Sequence, residues 1–86
     1  MFSKYNQAHR LHFRLERRTR LPGQDWTPWR LEAECRHYID ALALFKTRKG
    51  DVDRREVDPT GRQVQAEYRL VSNSTGDAIS TCIVGV

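Results

Sequence analysis

"HRLHFRLERRTR", residues 9–20, alternates apolar and polar side chains almost without error. Leu11, Phe13 and Leu15 fall on one side, and Arg10, His12, Arg14, Glu16, Arg18 and Arg20 on the other. A period of two over this length marks a strand with one buried and one wet face. It decides the fold class, because such a strand needs sheet neighbours and a second layer over its apolar side. It also raises the functional question of what a strand does with a row of arginines.

The next stretch, "RLPGQDWTPW" (20–29), holds Pro-Gly and then Gln-Asp, which predicts a tight turn and a hairpin. The returning strand is expected from Trp26 to Glu32, short because Pro28 lacks an amide donor and belongs at an edge or bulge. In a regular strand Trp26 and Trp29 fall on opposite faces, one capping the core and one exposed. The period then lengthens. Cys35, Tyr38, Ile39, Leu42 and Phe45 recur at three and four residues, which predicts a helix over Ala33–Lys49. Gly50 closes it, and Lys46, Arg48 and Lys49 occupy the last turn, where the helix dipole favours positive charge.

Residues 51–73, "DVDRREVDPTGRQVQAEYRLVSN", read as a second hairpin. A strand Val52–Val57 leads into the turn Asp58-Pro59-Thr60-Gly61, whose Pro and Gly suit a type I turn with a following bulge, and a strand Arg62–Ser72 returns. "AISTCIVGV" (78–86) is a short last strand carrying Ile79, Thr81 and Ile83. The expected fold is a single α+β domain over 1–86, order ββαβββ. One antiparallel β-sheet carries one α-helix packed on one face, and residues 1–7 and 84–86 are expected to fray. The expected core is Leu11, Phe13, Leu15, Leu31, Tyr38, Ile39, Leu42, Phe45, Val64, Tyr68 and Leu70. The other sheet face is open or covered by something else.

Composition narrows the function. A chain of 86 residues buries about 60–65% of its unfolded surface, enough for a sheet and a helix but not for a deep cleft. No apolar run approaches the ~18 residues of a membrane helix. "MFSKYNQAHR" has no apolar signal region, so a cytoplasmic setting is expected. There Cys35 and Cys82 are expected as free thiols packed among apolar neighbours. His9, His12 and His37 with Cys35 match no usual zinc spacing, so no metal is expected. Asp51, Asp53, Glu56 and Asp58 are interrupted by Arg54 and Arg55 and lack the calcium-loop glycine. Ser72, Ser74 and Ser80 have no nucleophile-elbow context, and no Gly-rich phosphate loop exists. The expectation is a non-catalytic protein without a cofactor.

Charge is lopsided. Residues 1–24 carry six basic groups against Glu16 alone, a net +5, while the remaining chain carries nine basic and ten acidic groups. Alternate residues of a strand stand about 7 Å apart, close to the spacing of phosphates along a nucleic-acid strand. The same arginines can instead pair across strands with Glu16, Glu32, Glu56 and Glu67. The signatures of an RNA recognition motif, a KH domain and a zinc finger are absent, which leaves at most nonspecific nucleic-acid binding through the first strand. The corner Trp26 to Arg30 has the composition of a binding hot spot. The candidate site is therefore Arg10, His12, Arg14, Arg18, Arg20, Trp26, Trp29 and Arg30.

The pattern "RLHFRLERR…DWTPWRLEAECRHYIDALALFK…AEYRLV" resembles the small α+β proteins that bacteriophages and mobile elements encode to interfere with host machinery. Anti-CRISPR proteins and phage inhibitors of host RNA polymerase are among them. The resemblance covers about residues 8–72 and rests on size, element order and composition, so no functional residue is carried over. It implies a stoichiometric inhibitor in a bacterial cytoplasm that blocks a host protein or nucleoprotein complex. A basic chain does not mimic DNA, so its partner is an acidic protein surface, or guide or target nucleic acid beside the protein. Two alternatives stay open: a nucleic-acid-binding accessory domain with the same arginines on phosphates, and a homo-oligomeric assembly protein that pairs through an open sheet edge. No membrane is expected as partner, and the chain is a monomer or homodimer.

Overall fold

The computed structural model describes residues 12–50 and 56–85. Strand β1 (Phe13–Arg20) is followed by β2 (Arg30–Cys35), helix α1 (Tyr38–Gly50), β3 (Gln65–Ser72) and β4 (Ala78–Val84). The strands form one antiparallel sheet in the order β2-β1-β3-β4. The arginine-rich strand thus lies inside the sheet, between β2 and β3. This is an α+β fold with the helix laid against a single sheet face.

Register and alternation sort the side chains. Leu15 lies opposite Ala33 on one side and Leu70 on the other, and Arg17 opposite Tyr68. These residues share the helix face, where Leu15, Ala66, Tyr68 and Leu70 join Ala41 and Phe45 of α1 in the buried core. Each large apolar side chain buried there contributes about 1.5–3 kcal/mol. Phe13 meets Tyr38 edge to face with ring centroids 5.6 Å apart, which seats the start of the helix. Arg14, Glu16, Arg18 and Arg20 point to the opposite face with Val71, Arg69, Glu67 and Gln65 of β3.

Several boundaries differ from the expected ones. The second strand runs over Arg30–Cys35 rather than Trp26–Glu32, because Pro28 keeps residues 25–29 out of the ladder. The helix begins at Tyr38, not Ala33: Ala33 and Cys35 are spent on β2, where alternate burial suits them as well as a helical stripe. The strand expected over Val52–Val57 falls largely on residues outside the described ones. Of that strand Glu56 and Val57 are described, Glu56 accepting the Val64 amide at 2.9 Å and Val57 in an isolated bridge to Gln63. Four strands rather than five are described, and the strand expected from Arg62 starts at Gln65. The turn before it forms as expected: Gly61 donates to the Asp58 carbonyl at 2.9 Å and adopts φ +85°.

Three residues expected in the core are exposed, Leu31 at 58%, Tyr38 at 41% and Ile39 at 77%. A register shift between Leu15 and Glu16 turns Leu31 to the side of Glu16, and the helix presents Ala41 and Phe45 rather than Ile39 to the sheet. Leu11 and the expected N-terminal fraying lie outside the described residues. No helix among them is long and apolar enough to cross a membrane.

Candidate functional site

The face away from the helix is built first by ion pairs. Arg69 donates from Nε to Glu16 at 2.6 Å, and Arg14 lies 3.2 Å from the other oxygen of the same carboxylate. Arg14 also donates to the Asn73 side chain. Arg18 donates from Nε and a terminal nitrogen to Glu67, both at 2.6 Å. Arg20 donates to the Gln65 amide oxygen at 2.8 Å. Glu16 lies opposite Arg69 and Arg18 opposite Glu67 in the β1–β3 register, so the pairs follow from strand alignment. Glu16 and Glu67 pair with three of the four arginines of this face, and Glu34 stands opposite Arg14 in the β1–β2 register, so carboxylates offset most of the arginine charge.

A second layer lies on these pairs. Arg69 stands 4.0 Å from the centre of the Trp29 ring, Arg18 stands 4.5 Å from Trp29 and 4.9 Å from Trp26, and Arg20 stands 4.5 Å from Trp26. Read across the sheet, Arg69, Trp29, Arg18, Trp26 and Arg20 form one alternating stack of guanidinium and indole. Each contact contributes about 0.5–1 kcal/mol at a half-exposed site. Both tryptophans are half-buried and share one face, against the expectation that they point opposite ways. The reason is local. Thr27 donates its amide to the Thr19 carbonyl at 2.8 Å, and its hydroxyl accepts the Thr19 amide at 3.0 Å. This latch and Pro28 hold the segment in a non-strand course that does not alternate, so both indoles fold down over β1.

The remaining candidates separate from the stack. His12 is exposed just before β1, held by backbone bonds to Cys35 and Asn73. Arg30 lies opposite Arg17, whose side chain reaches to the helix side, so the register puts Arg30 on that side too. It lines an open concavity of about 1010 Å³ between the β1–β2 connection and the 57–62 turn, together with Arg17, Glu32, Val57, Asp58 and Arg62. Arg10 lies outside the described residues.

Sequence reasoning missed the polar centre beneath the sheet. Glu56, 2% exposed, accepts hydrogen bonds from the Tyr68 hydroxyl and from Arg17 at 3.1 Å. The Arg17 Nε is buried without a hydrogen-bond partner among the described residues. Of the four glutamates proposed to pair the arginine row, Glu16 and Glu67 do so, Glu56 serves Arg17 on the other face, and Glu32 lies 3.7 Å from Arg48 of the helix. Arg69 completes the stack and was not among the candidates; the alternation of residues 65–71, which sets it on the side of Glu67, is the signal in the sequence that could have found it. Cys35 and Cys82 are free and half-buried, and burial raises both thiols above their ordinary value. Among the described residues no group of three or more His, Cys, Asp or Glu side chains is placed to hold a metal ion.

The arrangement presents planar, prealigned surfaces rather than a reactive centre. Each of the four guanidinium groups is anchored through its Nε, by Glu16, Glu67 or Gln65, and the half-buried indoles lie over those of Arg18, Arg20 and Arg69. In comparison with known proteins, no family model, curated protein or solved structure matches the chain.

Proposed function

We propose that the chain is a non-catalytic interaction protein that binds a larger protein or nucleoprotein complex through the face of Trp26, Trp29, Arg18, Arg20 and Arg69. The observation that carries this is the alternating arginine and tryptophan stack. Tryptophan and arginine dominate binding hot spots, and side chains already immobilised lose little entropy on association. Here ion pairs beneath and a threonine latch beside them hold the five side chains before any partner arrives. A phage-type inhibitor that occupies a functional surface of a bacterial complex, in the cytoplasm of its host, fits a small rigid binder of this kind.

A protein partner suits the face better than phosphates do. The Glu16 and Glu67 carboxylates sit within the arginine row, so a phosphate there would compete with them for the guanidinium groups and be repelled by their charge. The partner surface expected is flat, apolar at its centre for the indoles and acidic at its rim. The test is affinity capture at physiological salt from nuclease-treated bacterial lysate, with the natural chain, Trp29→Ala and Ile39→Ser as baits. A partner held by the natural chain and by Ile39→Ser but lost with Trp29→Ala supports the assignment. A partner equally retained by Trp29→Ala overturns it.

A further inference from the structure

We infer that β4 is a dimerisation edge, on which the β4 strand of a second copy pairs antiparallel about Thr81 to make one continuous eight-stranded sheet. Among the described residues β4 is hydrogen-bonded to a strand on one side only, that of β3. Sheet edges are normally protected by charge or proline. The opposite edge, β2, carries Arg30, Glu32 and Glu34. The segment Ala78 to Val86 contains no charged residue and no proline.

The occupant follows from the strand's own symmetry. Ile79, Thr81 and Ile83 are exposed and alternate with half-buried Ser80, Cys82 and Val84, with Ile79 at 43% and Ile83 at 53%. Antiparallel pairing centred on Thr81 sets each Ile79 opposite the partner's Ile83, Ser80 opposite Cys82, and Thr81 opposite itself. Two exposed isoleucine pairs are covered and no charge meets another. The register shift of β4 falls at Ile79, at the start of the strand, and leaves the following residues regular. A chain with formal charge +4 repels its copies over most of its surface. The uncharged strand is where two copies approach at least cost. A closed two-fold pairing also ends the assembly at two, which an open edge otherwise does not guarantee.

The two-fold axis stands perpendicular to the sheet, so both arginine and tryptophan stacks lie on the same face and both helices on the other. Five strand spacings separate one β1 from the other, which places the two stacks about 24 Å apart. The pair therefore displays the surface twice. The dimer itself does not depend on what that surface binds, and Trp29→Ala is expected to dimerise unchanged.

Pairing two seven-residue edges gives an interface at the small end of specific ones, so a dissociation constant on the order of 10–100 μM is expected. Sedimentation velocity of the full chain from about 1 μM to about 1 mM should show monomer converting to dimer across that range. Ile79→Lys alone and Ile83→Glu alone, both at exposed positions, should each weaken the dimer at least tenfold, with circular dichroism reporting the fold intact. The double variant should restore it, because only this register sets Lys against Glu of the partner. A chain monomeric throughout, or a dimer that both single variants leave unchanged, or a double variant no better than the singles, would overturn the assignment.

Discussion

Replacing Glu56 by alanine is expected to destabilise the domain by about 3 kcal/mol. The carboxylate is 2% exposed and accepts from both the Tyr68 hydroxyl and Arg17. Its removal leaves the hydroxyl without that acceptor, at a cost of about 1–3 kcal/mol. It also leaves the Arg17 guanidinium uncompensated. Breaking a fully buried ion pair costs about 3–5 kcal/mol, but Arg17 keeps 21% of its side chain in solvent, so the lower part of that range applies and the two losses overlap. For an 86-residue chain, total stability is about 4–13 kcal/mol, and 3 kcal/mol is a large share of it. Thermal unfolding followed by circular dichroism should show a midpoint about 12–24 °C lower. Glu56→Gln keeps an acceptor for Tyr68 and should cost about half as much. In a cycle with Tyr68→Phe the two losses should be less than additive. A Glu56→Ala chain within about 0.5 kcal/mol of the natural one would refute this centre as a structural anchor.

Trp29→Ala removes two of the four guanidinium contacts and a half-buried ring, and should cost about 1–3 kcal/mol by urea unfolding while loosening Arg69, whose Nε–H signal in NMR should broaden. Asp58 is held below the usual carboxyl value of 3.8, first by the Thr60 hydroxyl and then by the Arg62 and Thr60 amides. A lowered value means the carboxylate supports the turn above pH 3.8 and releases it as pH falls through the lower folded value. The Thr60 and Arg62 amide shifts should therefore titrate with a midpoint below 3.8, and a midpoint at or above it would count against the turn geometry. Cys82, raised chiefly by desolvation, should react with iodoacetamide at pH 8 more slowly than free cysteine, and equal rates would place it in open solvent.

How far the sequence foretold this structure depends on how many patterns a segment satisfies at once. In β1 the alternation admits one interpretation, since a helix or a shifted register would bury Arg14 or Arg18 and expose Leu15. The 58–61 turn was equally legible, because Pro59 and Gly61 each have few other uses. Residues 30–45 were ambiguous. Ala33 and Cys35 suit a strand and a helix alike, and with Ile39, Ala41, Leu42, Ala43, Leu44 and Phe45 nearly contiguous the helix had no distinct phase. The stack was half legible. The arginines of β1 and the tryptophans stood out and Arg69 did not, and that both indoles share one side depends on the Thr27 to Thr19 latch. Glu56 was hidden, since it lies among other acidic residues and its role depends on Arg17, 39 residues away.

The most direct test of whether the arginine face serves a protein rather than phosphates is a titration of purified, nucleic-acid-free chain into labelled single- and double-stranded DNA and RNA. At physiological salt no binding tighter than about 100 μM is expected, because the Glu16 and Glu67 carboxylates within the row offset its charge and would repel a phosphate. Micromolar or tighter binding that falls steeply with salt and disappears with Arg14→Glu and Arg18→Glu would contradict this, and would make β1 a nucleic-acid site.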